Sequence, residues 1–175
     1  MPRQSPPTHR LRPWLIGLVF WLVLIPLAAR PRHSGNVFSR YMTVESIVER
    51  GTLAIERSPL RGISGSPDVV RFGNHLYSDK PPVLSALAAG PYAVLVLMGQ
   101  RFAGSPEQFT EVNWVLVSLF AALGSALAVV GVRMLLQVLP IAPWLGDLLA
   151  LLVGFGTLLL SYGVTFNNHS VAAGL

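Results

Sequence analysis

The sequence predicts an all-α fold: a polytopic bundle of three to four apolar membrane helices, with a long extracytoplasmic first loop that contains a short surface helix. Hydrophobic residues make up 52% of the 175 residues, and only 12% of the residues are charged. A soluble domain of this length carries about 25% charged residues. The apolar residues fall in long blocks, and the polar residues concentrate between the first two blocks. We therefore expect a membrane protein with one large polar loop.

The first apolar block runs over residues 13–29, between Arg12 and Arg30. Its 17 residues are near the lower limit for a spanning helix, and the flanking arginines can extend toward the headgroups. Three arginines precede the block, so residues 1–12 are predicted to be a cytoplasmic tail. A cleaved signal peptide is the alternative interpretation, because a basic start and an apolar centre are typical of one. The apolar blocks further along the chain favour the anchor.

Residues 30–82 form the predicted extracytoplasmic loop. It holds eight of the thirteen basic residues and five of the eight acids. Basic residues that alternate with acids and are flanked by apolar helices exclude a nucleic-acid-binding surface. Within the loop, Ser39 as N-cap and Gly51 as C-cap predict a short helix along the membrane surface, and residues 69–72 predict a short strand. A charged loop of this length between membrane helices is typical of a functional site.

Three further apolar blocks are predicted to be membrane helices, over residues 83–100, 112–139 and 143–162. The pair Gly90-Pro91 interrupts the first of them, which allows that block to dip into the bilayer or to lie in the interface without crossing it. This topology keeps Arg133 on the cytoplasmic side with the N-terminus. A new apolar run begins at the last residues, which predicts the start of another helix and a longer protein.

Asp79, Lys80, Pro81 and Pro82 stand directly before the block at 83–100. Proline in the first turn of a helix loses no hydrogen bond, because the N–H groups there have no intrahelical partner. The residue before a proline is held extended, so Lys80 is expected to project from the helix start. The sequence thus predicts a fixed cation at the membrane–water boundary. An interfacial anchor is the simpler interpretation, since lysine commonly marks the ends of membrane helices.

Two motifs of the loop occur in a defined order: Arg40-Tyr41, followed by Gly51, and then the run Gly73-x-x-x-Tyr77-Ser-Asp-Lys80-Pro-Pro. This pattern resembles the integral-membrane glycosyltransferases that use polyprenyl-phosphate sugars, among them the protein O-mannosyltransferases and the aminoarabinose transferase of lipid A. The resemblance covers roughly residues 13–100. It implies transfer of a sugar from a polyprenyl-phosphate donor to an extracytoplasmic acceptor, with inversion at the sugar carbon, in a bacterial-type plasma (inner) membrane.

The resemblance also implies roles for the basic residues of the loop. The polyprenyl tail lies in the bilayer, so the donor phosphate lies at the level of the headgroups, where Lys80 is expected. A cation held there stabilises the negative charge that accumulates as the sugar leaves. Arg40, Arg71 and His75 are further candidates for contacts with the donor phosphate. For each of these three, a solvated loop residue is the alternative interpretation.

The chain departs from the family pattern before the Arg-Tyr pair. Val37 and Phe38 stand where the family has two acids. The base that deprotonates the acceptor hydroxyl must then be another carboxylate, and Asp68 is the first candidate. Glu45 is the second, and Asp79, beside a lysine, is the third. The alternative is a non-catalytic membrane protein on the same scaffold, which binds a lipid or a partner.

A second polar group, Asn167, Asn168 and His169, follows the last full apolar block. The resemblance implies that polar residues at this helix end face the donor or acceptor cavity, together with Asp79. Ordinary interface residues are the alternative interpretation. The four histidines are scattered and the chain has no cysteine, so the sequence predicts no metal site and no cofactor.

Overall fold

The structure, a computed structural model, describes residues 8–31, 34–62 and 68–175. The predicted tail is therefore described only from Thr8 onward, and residues 32–33 and 63–67 of the predicted loop lie outside the described part. The helices are α1 (Thr8–Leu27), α2 (Gly35–Arg50), α3 (Val83–Leu97), α4 (Pro106–Leu116), α5 (Leu123–Leu136), α6 (Pro143–Gly156), α7 (Leu158–Gly163) and α8 (Asn168–Gly174). The predicted helical fold is confirmed.

Four short elements complete the described chain. A 3-10 turn spans Pro59–Gly62, and a π-helical segment, Val117–Ala122, joins α4 to α5. The predicted strand is present as β1 (Val69–Phe72), and it pairs in antiparallel fashion with β2 (His75–Ser78), a strand that the sequence did not predict. The polar loop therefore contains a hairpin as well as a helix.

One helix among the described residues is long and apolar enough to cross a membrane, the 31-residue stretch Pro106–Leu136. The apolar helices Leu11–Leu27, Val83–Leu97 and Pro143–Gly156 are shorter. The 15 residues of α3 measure about 22 Å along the helix axis, against about 30 Å of hydrocarbon in a bilayer. By length and composition, one segment is thus suited to spanning, and the polytopic bundle stays a prediction.

Helix boundaries differ from the prediction at three places. α1 begins at Thr8, so residues 8–12 of the predicted tail are helical. The block at 143–162 is divided at Thr157, whose extended backbone ends α6 and whose hydroxyl accepts the Leu159 N–H at 3.2 Å to start α7. Pro91, in contrast, lies inside α3, which continues through it to Leu97.

The loop helix α2 differs most from the prediction. It begins at Gly35, because the Ser34 hydroxyl caps it by accepting the Val37 N–H at 3.3 Å, and Ser39 lies inside the helix. Gly51 ends the helix as predicted, with a φ of 66° that glycine adopts without strain. Residues 37–46 are all buried. A helix that lies on a surface leaves one face exposed, so the prediction of a surface helix is wrong.

The described chain forms two compact units. The first comprises Met1–Ala28, Ser118–Val164 and Asn168–Leu175, and the second comprises Ala29–Val117 and Thr165–Asn167. The core of the first unit consists of seven buried apolar side chains: Phe20, Leu24, Ala122, Ala126, Val129, Ala150 and Val164. The second unit contains the hairpin, α2, α3, α4 and the Lys-Pro-Pro motif, so it carries most of the predicted site.

Charged residues meet at one end of the first unit. The Asp147 carboxylate accepts Nε of Arg12 at 2.7 Å and Nε of Arg133 at 2.6 Å. These contacts bring together the beginning of α1, the end of α5 and the beginning of α6. Arg133 therefore lies at the same end of the first unit as the beginning of α1, and its placement on the cytoplasmic side stays a prediction.

Aromatic side chains form the core of the second unit, and Tyr41 is at its centre. The Tyr41 ring lies 4.7 Å from the Phe102 ring and 5.1 Å from the Phe166 ring. Its hydroxyl donates to Oδ1 of Asn113 at 2.5 Å. The tyrosine of the Arg-Tyr motif is therefore a core residue, and it fixes the rotation of α2 about its axis.

Candidate anion-binding site

Lys80 lies between two aspartates at the open end of the hairpin. Its ammonium is 3.0 Å from Oδ2 of Asp68 and 3.0 Å from Oδ2 of Asp79. The strand register causes this arrangement, because Val69 pairs with Ser78, which makes the residues just before β1 and just after β2 neighbours. The Asp79 N–H donates to the Asp68 carbonyl at 3.3 Å. We call Arg40, Asp68, Asp79 and Lys80 the Lys80 cluster.

Serine side chains fix the open end of the hairpin against α2. The Ser78 hydroxyl is 3.0 Å from the Ser39 hydroxyl and accepts the backbone N–H of Lys80 at 3.2 Å. From the first turn of α3, the Ser85 hydroxyl donates to the Arg40 carbonyl at 3.4 Å. The roles of Ser78 and Ser85 were not predicted from the sequence, because short polar side chains at these positions carry no periodic signal. The cluster thus rests on α2, β2 and α3.

Arg40 supplies the second cation of the cluster from within the protein. Its side chain is buried, and Nη1 donates to the Asn36 carbonyl at 3.1 Å and to the Asn36 side-chain oxygen. Burial lowers the pKa of Arg40, whereas the charges of Asp79 and Asp68 raise it. The guanidinium is therefore within the electrostatic reach of both carboxylates. Asn36 precedes Arg40 by one helical turn, a spacing that places the two residues on one face and that a search for helical partners would find.

Lys80 is a cation whose charge is balanced by the two aspartates. Hydrogen bonds to Asp79 and Asp68 raise the pKa of Lys80, so it stays protonated at neutral pH. An ammonium has three N–H donors, and within the described part of the chain the two carboxylates engage two of them. The third N–H group of Lys80 can donate to an oxygen of a ligand.

The carboxylate of Asp68 also reaches solvent. Its side chain is 42% exposed, Oδ2 contacts Lys80, and Oδ1 makes no hydrogen bond to the described residues. One carboxylate can therefore hold the cation and accept a proton from a bound hydroxyl. The structure brings the first candidate base, the third candidate Asp79, and two candidate phosphate ligands into a single group.

Glu45, the second candidate base, is in a different environment. It is 1% exposed, both of its oxygens accept N–H groups of Arg50, and Oε2 also accepts the Ser58 hydroxyl at 2.7 Å. An acceptor hydroxyl has no path to this carboxylate in the described chain. The contacts indicate a structural ion pair that joins the end of α2 to the segment after it.

Arg71 and His75 lie away from Lys80. Arg71 is exposed on β1 opposite Leu76, and His75 begins β2, at the end of that strand remote from Lys80. His75 Nδ1 is 2.7 Å from Oε1 of Glu56. This hydrogen bond is the largest of the effects that lower the pKa of Glu56 to about 2. The predicted grouping of these two residues with Lys80 around one phosphate does not occur in this structure.

Val37 and Phe38 have a packing role. Both are buried, and the Phe38 ring stacks on the Phe109 ring at 5.7 Å. A carboxylate at position 38 in this structure would lie in the aromatic core without a partner, at a cost of several kcal/mol (about 3 or more). The two residues that stand in place of the acid pair are therefore part of the core of the second unit.

The polar group at the chain's end divides between the two units. Asn167 belongs to the second unit and donates from Nδ2 to the Thr165 carbonyl at 2.6 Å. Asn168 and His169 belong to the first unit, where the His169 ring lies 4.9 Å from the Tyr162 ring. Their assignment to a donor or acceptor cavity stays a prediction.

Comparison of this chain with protein-family models, with curated proteins and with solved structures finds no match. Among the described residues, no three histidine, aspartate or glutamate side chains converge in a way that suits a metal ion. Any assignment of a protein class therefore depends on the sequence motifs and on the geometry of the Lys80 cluster.

Proposed function

We propose that this chain acts as a membrane glycosyltransferase, which moves a sugar from a polyprenyl-phosphate donor to an extracytoplasmic acceptor. One observation carries the proposal: a protonated lysine with an open donor direction sits at the head of the apolar helix α3, beside a solvent-reaching carboxylate. The lysine suits the phosphate of a lipid-linked donor, and the carboxylate suits the hydroxyl of an acceptor. The other cation of the Lys80 cluster, Arg40, adds positive charge behind them.

The proposed reaction assigns one role to each group. The acceptor hydroxyl attacks the anomeric carbon of the sugar, and Asp68 takes the hydroxyl proton. The bond between that carbon and the phosphate oxygen breaks, and the phosphate leaves with the bonding electron pair. Lys80 stabilises the charge on the leaving phosphate, because it is fixed in place before the charge develops. Attack from the side opposite the phosphate inverts the sugar carbon.

A second candidate function is a non-catalytic membrane protein that binds a lipid phosphate through the same cluster. The burial of Val37 and Phe38 favours it, since the acid pair of the family pattern is replaced by core residues. The two candidates differ in what happens after the donor binds. A binding protein holds the lipid phosphate unchanged, whereas a transferase releases the sugar.

A binding and transfer experiment separates these candidates. The purified chain, reconstituted in phosphatidylcholine nanodiscs, is expected to bind polyprenyl phosphate and to release sugar from at least one of a panel of polyprenyl-phosphate sugars. Binding without sugar release from any donor would support the non-catalytic protein. A chain that binds no polyprenyl phosphate at all, although correctly folded, would contradict both candidates.

The topology has a direct test, because the chain contains no cysteine. Asn74 is exposed in the turn of the hairpin, so a cysteine placed there by Asn74→Cys is expected to react with a membrane-impermeant thiol reagent in intact cells. A cysteine introduced by Pro140→Cys, between α5 and α6, is the matched control and is expected to react only after the membrane is permeabilised. The reverse labelling pattern would contradict a polar loop outside the cytoplasm.

A further inference from the structure

The hairpin carries four residues on one face, next to the Lys80 cluster. Val70 pairs with Tyr77, and Phe72 pairs with His75. Side chains alternate between the two faces of a strand, so these four residues share a face. The distance of 6.3 Å between the centroids of the His75 and Tyr77 rings agrees with this placement. We call Val70, Phe72, His75 and Tyr77 the hairpin face.

The hairpin face is open to solvent. Phe72 is 78% exposed, Val70 is also exposed, and Tyr77 is half-buried. The opposite face of β2 is held against α2, because the Ser78 hydroxyl lies 3.0 Å from the Ser39 hydroxyl. Exposed apolar side chains that adjoin one another, unlike scattered ones, mark a surface that binds a ligand or a partner.

The hairpin face leads to the carboxylates of the Lys80 cluster. The backbone pairing continues one step beyond the two strands, since the Asp79 N–H donates to the Asp68 carbonyl at 3.3 Å. The same alternation places Asp68 and Asp79 next in line on the hairpin face, and both carboxylates contact the Lys80 ammonium. Asp68 precedes Phe72 by four residues, a separation of about 13 Å along a strand. One continuous surface therefore runs from the proposed base to the turn of the hairpin.

The two parts of this surface match the two parts of a sugar. A pyranose ring carries C–H groups on its faces and hydroxyl groups around its rim. The C–H groups have a partial positive charge that the negative face of an aromatic ring attracts, and Phe72 and Tyr77 supply aromatic rings. The partly exposed carboxylates of Asp68 and Asp79 accept hydrogen bonds from hydroxyl groups.

Two other ligands fit this surface less well. A bilayer surface would bring the two carboxylates up to anionic headgroups, which repel them. An extended peptide binds along the edge of a sheet through backbone hydrogen bonds, whereas the hairpin face offers side chains. A carbohydrate uses both the rings and the carboxylates.

From this arrangement we propose that the hairpin face binds the sugar rings of a carbohydrate acceptor and places one acceptor hydroxyl at Asp68. The inference rests on the proposed function for the role of Asp68, whereas the binding of sugar rings to the hairpin face does not require transfer. The acceptor has more than one sugar ring, because only a chain of rings contacts Phe72 and reaches Asp68 at the same time.

Sugar binding is measured in the absence of a donor. The purified chain in phosphatidylcholine nanodiscs is titrated with maltotriose, cellotriose and chitotriose, and binding is followed by calorimetry and by saturation-transfer NMR. At least one trisaccharide is expected to bind saturably and more tightly than glucose, which is too short to span the surface. A folded chain that binds none of the three trisaccharides overturns the proposal.

Variants of β1 locate the site. Phe72→Ala is expected to weaken trisaccharide binding by about tenfold, because a stacking ring is lost, and Phe72→Trp is expected to retain binding. Val69→Ala is the matched control, since Val69 is exposed on the same strand but points to the opposite face, and it is expected to leave affinity unchanged. The melting temperature of Phe72→Ala is expected to match that of the wild type, because the ring is exposed. Equal losses of affinity in Phe72→Ala and Val69→Ala would overturn the proposal.

A fluorescent label tests for contact with the bilayer instead. The chain contains no cysteine of its own, so a bimane reagent labels the Phe72→Cys variant at that position alone. In nanodiscs that contain brominated phosphatidylcholine, the bimane fluorescence is expected to stay unquenched. Quenching by the brominated lipid would place the hairpin face in the bilayer and overturn the proposal.

The sugar-release assay separates this inference from the proposed function. Trisaccharide binding without sugar release from any donor would contradict the transferase and leave the sugar-binding surface in place. Sugar release that no trisaccharide accelerates, from a chain that binds no trisaccharide, would contradict the carbohydrate acceptor and leave the transferase in place.

Discussion

Lys80→Ala is expected to lower sugar release by about 30-fold to 1,000-fold. A loss of this size is typical when one preorganised charge-stabilising donor is removed. The lysine is held by Asp68 and Asp79 at 3.0 Å each, so its ammonium is in place before the phosphate acquires charge. Turnover and donor affinity are measured separately in nanodiscs, because a transition-state effect lowers turnover more than affinity.

The control for this variant is Lys80→Arg. It keeps the positive charge that separates the two aspartates, so the protein is expected to fold and to retain more activity than Lys80→Ala. Lys80→Gln removes the charge with little change in size and is expected to behave like Lys80→Ala. If Lys80→Gln and Lys80→Arg both release sugar at the wild-type rate, the lysine is only an interfacial anchor and the proposed role is wrong.

Glu45→Gln is expected to lower the free energy of unfolding by about 3 kcal/mol, at the lower end of the values for breaking a buried ion pair. The carboxylate is 1% exposed and accepts Arg50 and Ser58. Replacing it leaves the Arg50 guanidinium partly buried without its counter-charge. The loss stays near the lower end because 23% of the Arg50 side chain still reaches solvent. Chemical unfolding in mixed micelles measures the change.

Asp68→Asn is the matched comparison for the base assignment. Its side chain is 42% exposed, and exposed ion pairs contribute about 0–1 kcal/mol, so the variant is expected to remain nearly as stable as the wild type. Turnover is expected to fall while donor binding is kept, since proton transfer is lost and Lys80 remains. The opposite result, a stable Glu45→Gln without turnover and a fully active Asp68→Asn, would move the chemistry to α2.

The candidate site was only partly predictable because its residues meet through pairing that is not local. The sequence identified Lys80 and named Asp68 as the first carboxylate, twelve positions earlier in the chain. It did not show that the two would touch, since their contact depends on the register in which Val69 faces Ser78. Arg71 and His75 were grouped with Lys80 by closeness in sequence, but β2 carries His75 away from the cluster.

Local sequence by itself determined that the apolar blocks are helical, that α2 ends at Gly51 and that α3 starts directly after Pro82. Each of these features depends on residues within one or two helical turns of it. Those residues act through the backbone conformation that they favour or through their hydrophobicity. Only the tertiary structure decided that α2 is buried, that Glu45 is enclosed by Arg50 and Ser58, and that Val37 and Phe38 belong to an aromatic core. Burial depends on which distant segments pack against a helix, and the aromatic partners of α2 come from positions far along the chain.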